Sequence, residues 1–194
     1  MSSPLSIRVG LWVWFLVAAA VGYSGVLLKL PLPAMQGILL VLTAAALVAA
    51  RRLPALRAWL EQVDLRVLLL LHLTRFVGFY FILLYRQGRL PYDFAVRGGA
   101  GDIVVATGAL LLCVLPLGAA ARRHGITIWN VVGSIDILFV IFTAARLAWQ
   151  GEWHMRALEV MPLSLLPTFL VPLIVTTHVV IFLRLRKDSG AVAP

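Results

Sequence analysis

The chain has 194 residues, of which 62% are hydrophobic and 13% charged, with a mean hydropathy of +0.99 and a net charge of +9. Soluble domains run near half apolar and a quarter charged, so this composition excludes an ordinary soluble enzyme, a disordered chain and a nucleic-acid-binding domain. The one cysteine, Cys113, excludes a disulfide scaffold and a paired-cysteine redox or zinc site.

The composition predicts an all-α, polytopic membrane helix bundle. A membrane crossing takes about 20 mostly apolar residues, and six stretches supply it: 7–28, 34–50, 66–85, 102–121, 128–149 and 158–185. Gly, Pro or basic residues bound each one. The N-terminus carries one basic residue, Arg8, and its apolar stretch is too long for a signal-peptide core, so it reads as a retained helix. Trp12, Trp14, Trp129 and Trp149 fall near expected span ends, as aromatic-belt residues do. The whole chain reads as one membrane domain: a two-helix hairpin (1–50), an amphipathic segment (51–65), a four-helix polar core (66–187) and a tail (188–194).

Two connections stand out. In 51–66 (RRLPALRAWLEQVDLR), Leu53, Leu56, Trp59, Leu60 and Val63 recur at helical spacing, which suits either an amphipathic helix on the membrane face or a solvated extension of the third span. In 86–102 (RQGRLPYDFAVRGGAGD), a long connection holds Asp93, Asp102, three arginines and two aromatic residues, and such loops are often functional. Its Gly cluster lacks the preceding strand of a phosphate loop. It reads instead as a tight turn with Asp102 capping the fourth helix.

Basic residues set the orientation. One side holds Arg8, Arg51, Arg52, Arg57, Arg66, Arg122, Arg123, Arg184, Arg186 and Lys187; the other holds six. The positive-inside rule places the richer side, with both termini, in the cytoplasm of a bacterial inner membrane. The remaining basic residue, Arg75, lies within a span.

Ionisable groups inside spans are costly and are functional suspects. Four qualify: His72, Arg75, Asp136 and His178. At 1.5 Å per residue they lie about 9, 13, 12 and 10 Å from the cytoplasmic ends of their spans, in one slab. His72 and Arg75 share a helix face with Phe76 and Phe79. A buried Arg needs a counter-charge, which predicts an Arg75–Asp136 pair. The pair reads either as a structural pin or as a ligand- or proton-binding site with a histidine relay. A b-type haem with His72 and His178 as axial ligands is a second reading. A metal held by His72, His178 and Asp136 is a third, with no closely spaced histidine pair behind it.

Pro162, Pro167 and Pro172 recur every five residues, and each frees an upstream carbonyl. That suits a kinked helix with an interfacial first part, or an opened backbone lining a cavity above His178. Glu159, before the run, reads as wet and without chemistry. His124 and His154 fall in connections. HExxH, Gly-x-Ser-x-Gly and paired Glu-x-x-His motifs are absent, which leans the reading away from an enzyme. The fragments RFVGFYF, RQGRLPYDFAVRGGAGD and LPTFLVPLIVTTH resemble small bacterial membrane proteins, and no site residue follows from that.

The expected role is to bind or translocate a small ligand or proton within the lipid bilayer, without nucleic acid. A pathway in a chain this short calls for a homo-oligomer or a larger membrane complex. The alternatives are the haem electron carrier and an accessory subunit with a purely structural Arg75–Asp136 pair.

Overall fold

The computed structural model describes residues 4–190, with side chains through 187; the expected tail lies largely outside the described residues. Helices run over Leu5–Tyr23 (α1), Ala34–Arg52 (α2), Pro54–Gln62 (α3), Leu65–Leu71 (α4), Val77–Arg86 (α5), Gly99–Val114 (α6), Ala119–Trp149 (α7) and Val171–Gly190 (α8), and no strand occurs among the described residues. A 3₁₀ segment, His72–Phe76, joins α4 to α5, while π-helical turns at Asp93–Gly98 and Leu166–Leu170 lead into α6 and α8. Six of the resulting helices are long and apolar enough to cross a membrane: Leu5–Tyr23, Ala34–Arg52, Leu65–Arg86, Asp93–Val114, Ala119–Trp149 and Leu166–Lys187.

Local chemistry sets the breaks. Gly25 ends the first helical stretch in a left-handed conformation (φ 69°). Pro54 opens α3 at its first turn, where a missing N–H costs nothing. Asp64 caps α4, its carboxylate accepting from the Arg66 N–H at 2.9 Å. The segment 51–66 is therefore a separate amphipathic helix followed by a capped restart, not an extension of the third span.

Two boundaries differ from expectation. The fourth span begins at Asp93 rather than at 102, because the Gly cluster continues the helix instead of turning it. It also ends earlier, since Pro116 cannot sit in a continuing helix. The fifth helix consequently starts at Ala119 and runs 31 residues, about 46 Å, well beyond the roughly 30 Å hydrocarbon core. Arg122 turns back to donate to the carbonyls of Leu112, in the last turn of α6, and of Leu115 and Leu117 in the connection after it.

The six spans alternate in direction, so both ends of the described chain reach one end of the bundle. There Arg123 donates to the Leu185 carbonyl, and Arg184 to those of Leu60 and Val63. At the opposite end Arg156 donates to the Leu28 carbonyl. Two apolar clusters fill the interior. One, at the α3 end, includes Leu69, Val105, Trp129 and Ile181. The other, at the opposite end, includes Phe81, Phe94, Val140 and Leu158. A buried polar layer separates them, containing His72, Arg75, Asp102, Asn130 and His178.

Helices α1 and α2 are the least buried spans. Even so, α1 makes one specific contact: the Trp14 indole N–H donates to the Thr168 carbonyl at 2.9 Å. Pro172, four residues on, lacks the N–H that would otherwise take that carbonyl. Nearby hydroxyls bond back along their own helix, Thr168 to the Ser164 carbonyl and Thr176 to that of Pro172. Trp14 is thus a mid-span hydrogen-bond donor, not a belt residue. Trp129 is buried and donates to the Val105 carbonyl at 2.8 Å, because α7 begins ten residues before it. Trp12 and Trp149 are exposed; Trp149 ends its helix, whereas Trp12 lies near the middle of α1, as Trp14 does.

Candidate functional site

In the 3₁₀ segment of the third span, side chains three apart eclipse one another. His72 and Arg75 therefore point together into the bundle, and both are buried. Phe79 lies outside this face at 60% exposure, stacked on Phe76.

Each guanidinium nitrogen of Arg75 has a partner. Nε donates to Asp102 Oδ1 at 2.6 Å, Nη1 to the Gly133 carbonyl at 3.2 Å, and Nη2 to Asp136 Oδ2. The expected Arg75–Asp136 pair is present, but Asp136 is not the lone mid-span acid. Asp102 is a second counter-ion inside the membrane helix, neither a cap nor a loop residue. Glycine in a membrane helix marks close packing as often as a turn. A side chain at Gly101 would fall on the Asp136 carboxylate, so the bare backbone at that position lets Asp136 settle beside Asp102. Gly78 and Gly99 bring α5 and α6 together in the same way.

Asp93 sits apart from this cluster. It opens the fourth span at the opposite end and pairs with Arg146 at 2.6 Å and Arg97 at 3.1 Å, tying that span to α7.

His72 and His178 lie against each other with ring centroids 4.4 Å apart, and Trp129 packs on both. Their hydrogen-bond partners fix the protons. Asn130 donates its amide to the His178 carbonyl at 3.1 Å, which turns its Oδ1 toward His178 Nδ1 at 2.8 Å. His178 therefore carries its proton on Nδ1. Thr177 spends its hydroxyl proton on the Ile174 carbonyl, so it accepts from His72 Nε2 at 3.1 Å. Each ring is left with one buried, unpartnered nitrogen, His72 Nδ1 and His178 Nε2. The His178 ring also lies where a side chain on Gly133 would stand, and the Gly133 carbonyl is the one that Arg75 holds. The ion cluster and the imidazole pair thus flank one residue.

These histidines do not fit the haem reading. By analogy with metal–nitrogen bonds near 2 Å, an ion between two imidazoles sets the ligating nitrogens about 4 Å apart and the centroids further. A macrocycle must also fill the plane between them. Rings at 4.4 Å, tilted by 60°, leave no such room. No group of three or more His, Cys, Asp or Glu able to hold a metal ion occurs among the described residues.

A cavity of about 60 Å³ opens beside Arg75 and Asp102 toward the opposite end, walled by Phe81, Ile137, Val140 and Pro167. At about 10–15 Å³ per water, it has room for a few water molecules. Pro167 and Leu166, in the π-helical turn, line it. The proline run therefore contributes a cavity wall as well as an irregular entry to the helix.

Buried Asn130 went unrecognised in the sequence, and Glu159 was placed wrongly. Asn130 and Gly133, with Ile126 and Ile137, form one buried stripe of α7 at helical spacing. That small-and-polar pattern in a membrane helix was the available signal. Glu159 is not wet: it is buried, paired with Arg156 at 2.8 Å, and its Oε1 has no partner.

No curated protein and no solved structure was found to match the chain. A family model does match, over residues 32–186, the region that contains the entire Arg75 cluster and both histidines. The chain accordingly belongs to the family described as a domain of unknown function, DUF8737.

Proposed function

We propose that the protein binds and translocates protons through the buried layer around Arg75. The observation that carries this reading is one guanidinium bonded by two carboxylates. Arginine keeps its charge under all ordinary conditions. With both aspartates ionised, the cluster holds a surplus negative charge away from water, which is strongly disfavoured. One proton shared between Asp102 and Asp136 restores neutrality, and such a proton is exchangeable. The bare nitrogens of His178 and His72 are acceptors next along the layer, and the small cavity beside Asp102 supplies room for water on the other side. On this reading α4 to α8 form the working core and α1–α2 an added hairpin. The end bearing α3 faces the cytoplasm of a bacterial inner membrane, as the positive-inside rule places it.

Proteoliposomes with an internal pH-sensitive dye test this directly. Under an imposed potassium diffusion potential, the wild type is expected to acidify the lumen. Asp136→Asn is expected to slow this at least tenfold with an unchanged melting temperature. Equal rates in the two proteins would leave only a structural pin. Asp102→Asn serves as the independent second variant.

A further inference from the structure

The α3 end carries a second feature, separate from the proton site. A groove of about 640 Å³ runs between the last turns of α2 and α8 and the face of α3. Its floor is apolar, formed by Leu47, Ala50, Leu60, Val180 and Leu183. Its rim is cationic: Arg51, Arg57, Arg186 and Lys187 face the one carboxylate of Glu61.

The groove is held in shape by its own contacts. Arg184 donates to the carbonyls of Leu60 and Val63 at the end of α3 and so fixes that helix on α8. Glu61 accepts from Lys187 at 3.1 Å and Arg57 at 3.3 Å. Those two bonds, Lys187 first, hold its carboxyl below the ordinary value and keep it ionised. Arg51 and Arg186 are exposed and make no ion pair among the described residues. Among the described residues, the rim therefore keeps two cations outside any ion pair after its own acid is satisfied.

We infer that this groove binds one anionic phospholipid, its phosphate between Arg51 and Arg186 and its acyl chains along α2 and α8. Charge complementarity names the headgroup, since basic pockets between membrane helices attract anionic lipid phosphates. The apolar floor names the rest of the molecule. It runs directly into side chains that face the hydrocarbon, Val48 at 59% and Leu183 at 43% exposure. A free phosphate would leave that floor empty and wet. A phospholipid covers it with the part of itself that prefers it.

The test is native mass spectrometry of the full chain released from nanodiscs of equimolar phosphatidylglycerol and phosphatidylcholine. The wild type is expected to retain one phosphatidylglycerol in preference to phosphatidylcholine. Arg51→Gln/Arg186→Gln is expected to lose that preference at least tenfold. Arg51→Lys/Arg186→Lys is expected to restore most of it. Arg52→Gln, an exposed neighbour outside the groove, is expected to change nothing. Retention of both lipids alike by the wild type would overturn the inference. So would an unchanged preference in the Gln pair, or displacement of the lipid by millimolar inorganic phosphate. None of these readouts depends on proton flux, so the groove and the proton site stand or fall separately.

Discussion

Two Arg–carboxylate clusters sit in the same bundle under opposite terms. Arg75 is buried in mid-bundle, with two carboxylates and a carbonyl around it. At the far end the roles reverse: Arg156 is 39% exposed, and it is Glu159 that is buried, with one oxygen lacking a partner. In mid-bundle the cation is enclosed and must be over-supplied with acceptors. At the end the arginine stays wet, reaches the Leu28 carbonyl and shields a single acid from one side. The same pairing of arginine with carboxylate thus makes an enclosed cluster in one place and a half-exposed tether in the other.

The largest effect should come from emptying the first cluster. Arg75→Met leaves two buried carboxylates without a cation, and is expected to cost about 3–5 kcal/mol, read as lost folded yield and a lower melting temperature in detergent. Adding Asp102→Leu and Asp136→Leu should recover much of that loss while leaving flux abolished. A triple variant no more stable than Arg75→Met would show that the carboxylates are not what Arg75 compensates.

Next comes the space beside the cluster. Gly101→Val should displace Asp136 and destabilise by about 1–3 kcal/mol, with a loss of flux resembling that of Asp136→Asn. The uncharged counterpart of both clusters is the Trp14–Thr168 bond. Trp14→Phe should cost about 1 kcal/mol, and Pro172→Ala in the same chain should offset it, because the new N–H can take the Thr168 carbonyl. A double-mutant cycle with no coupling between the two would remove this account of the contact.

The smallest effect belongs to Glu159. Burial raises its carboxyl above the ordinary value, and Arg156 opposes the rise. A carboxyl raised in the folded state contributes stability at low pH and loses it as pH climbs through the folded-state titration. Melting temperature should therefore fall modestly with pH just above the usual carboxylate range. Glu159→Gln should flatten that segment, and Arg156→Gln should move it to higher pH. A pH profile identical in all three proteins would contradict the assignment.

Much of this molecule is legible from hydropathy alone, and two of the exceptions share a cause. The six spans and the Arg75–Asp136 pair follow from length and charge compensation. Asp102 was hidden because glycine signals a turn in water and close approach in a membrane, and pattern alone does not choose between them. Trp129 lies near the start of the expected span 128–149 but well inside α7, which starts at Ala119 just after Pro116. Glu159 looked wet because its shielding comes from the Arg156 stem and a chain segment more than a hundred residues earlier, near Leu28. The Asp102 and Glu159 misses concern what a neighbouring segment presents, which a single chain's periodicity does not encode; the Trp129 miss is a matter of where one helix starts.

The Trp14 bond also has a consequence for assembly. Its donor and acceptor are 154 residues apart, so synthesis delivers the indole well before its carbonyl. The inner helices have all arrived before that clasp is able to form. Until then, the gap left by Pro172 stays open on the flank of α8. A peripheral helix made before the core is thus the one that closes over it.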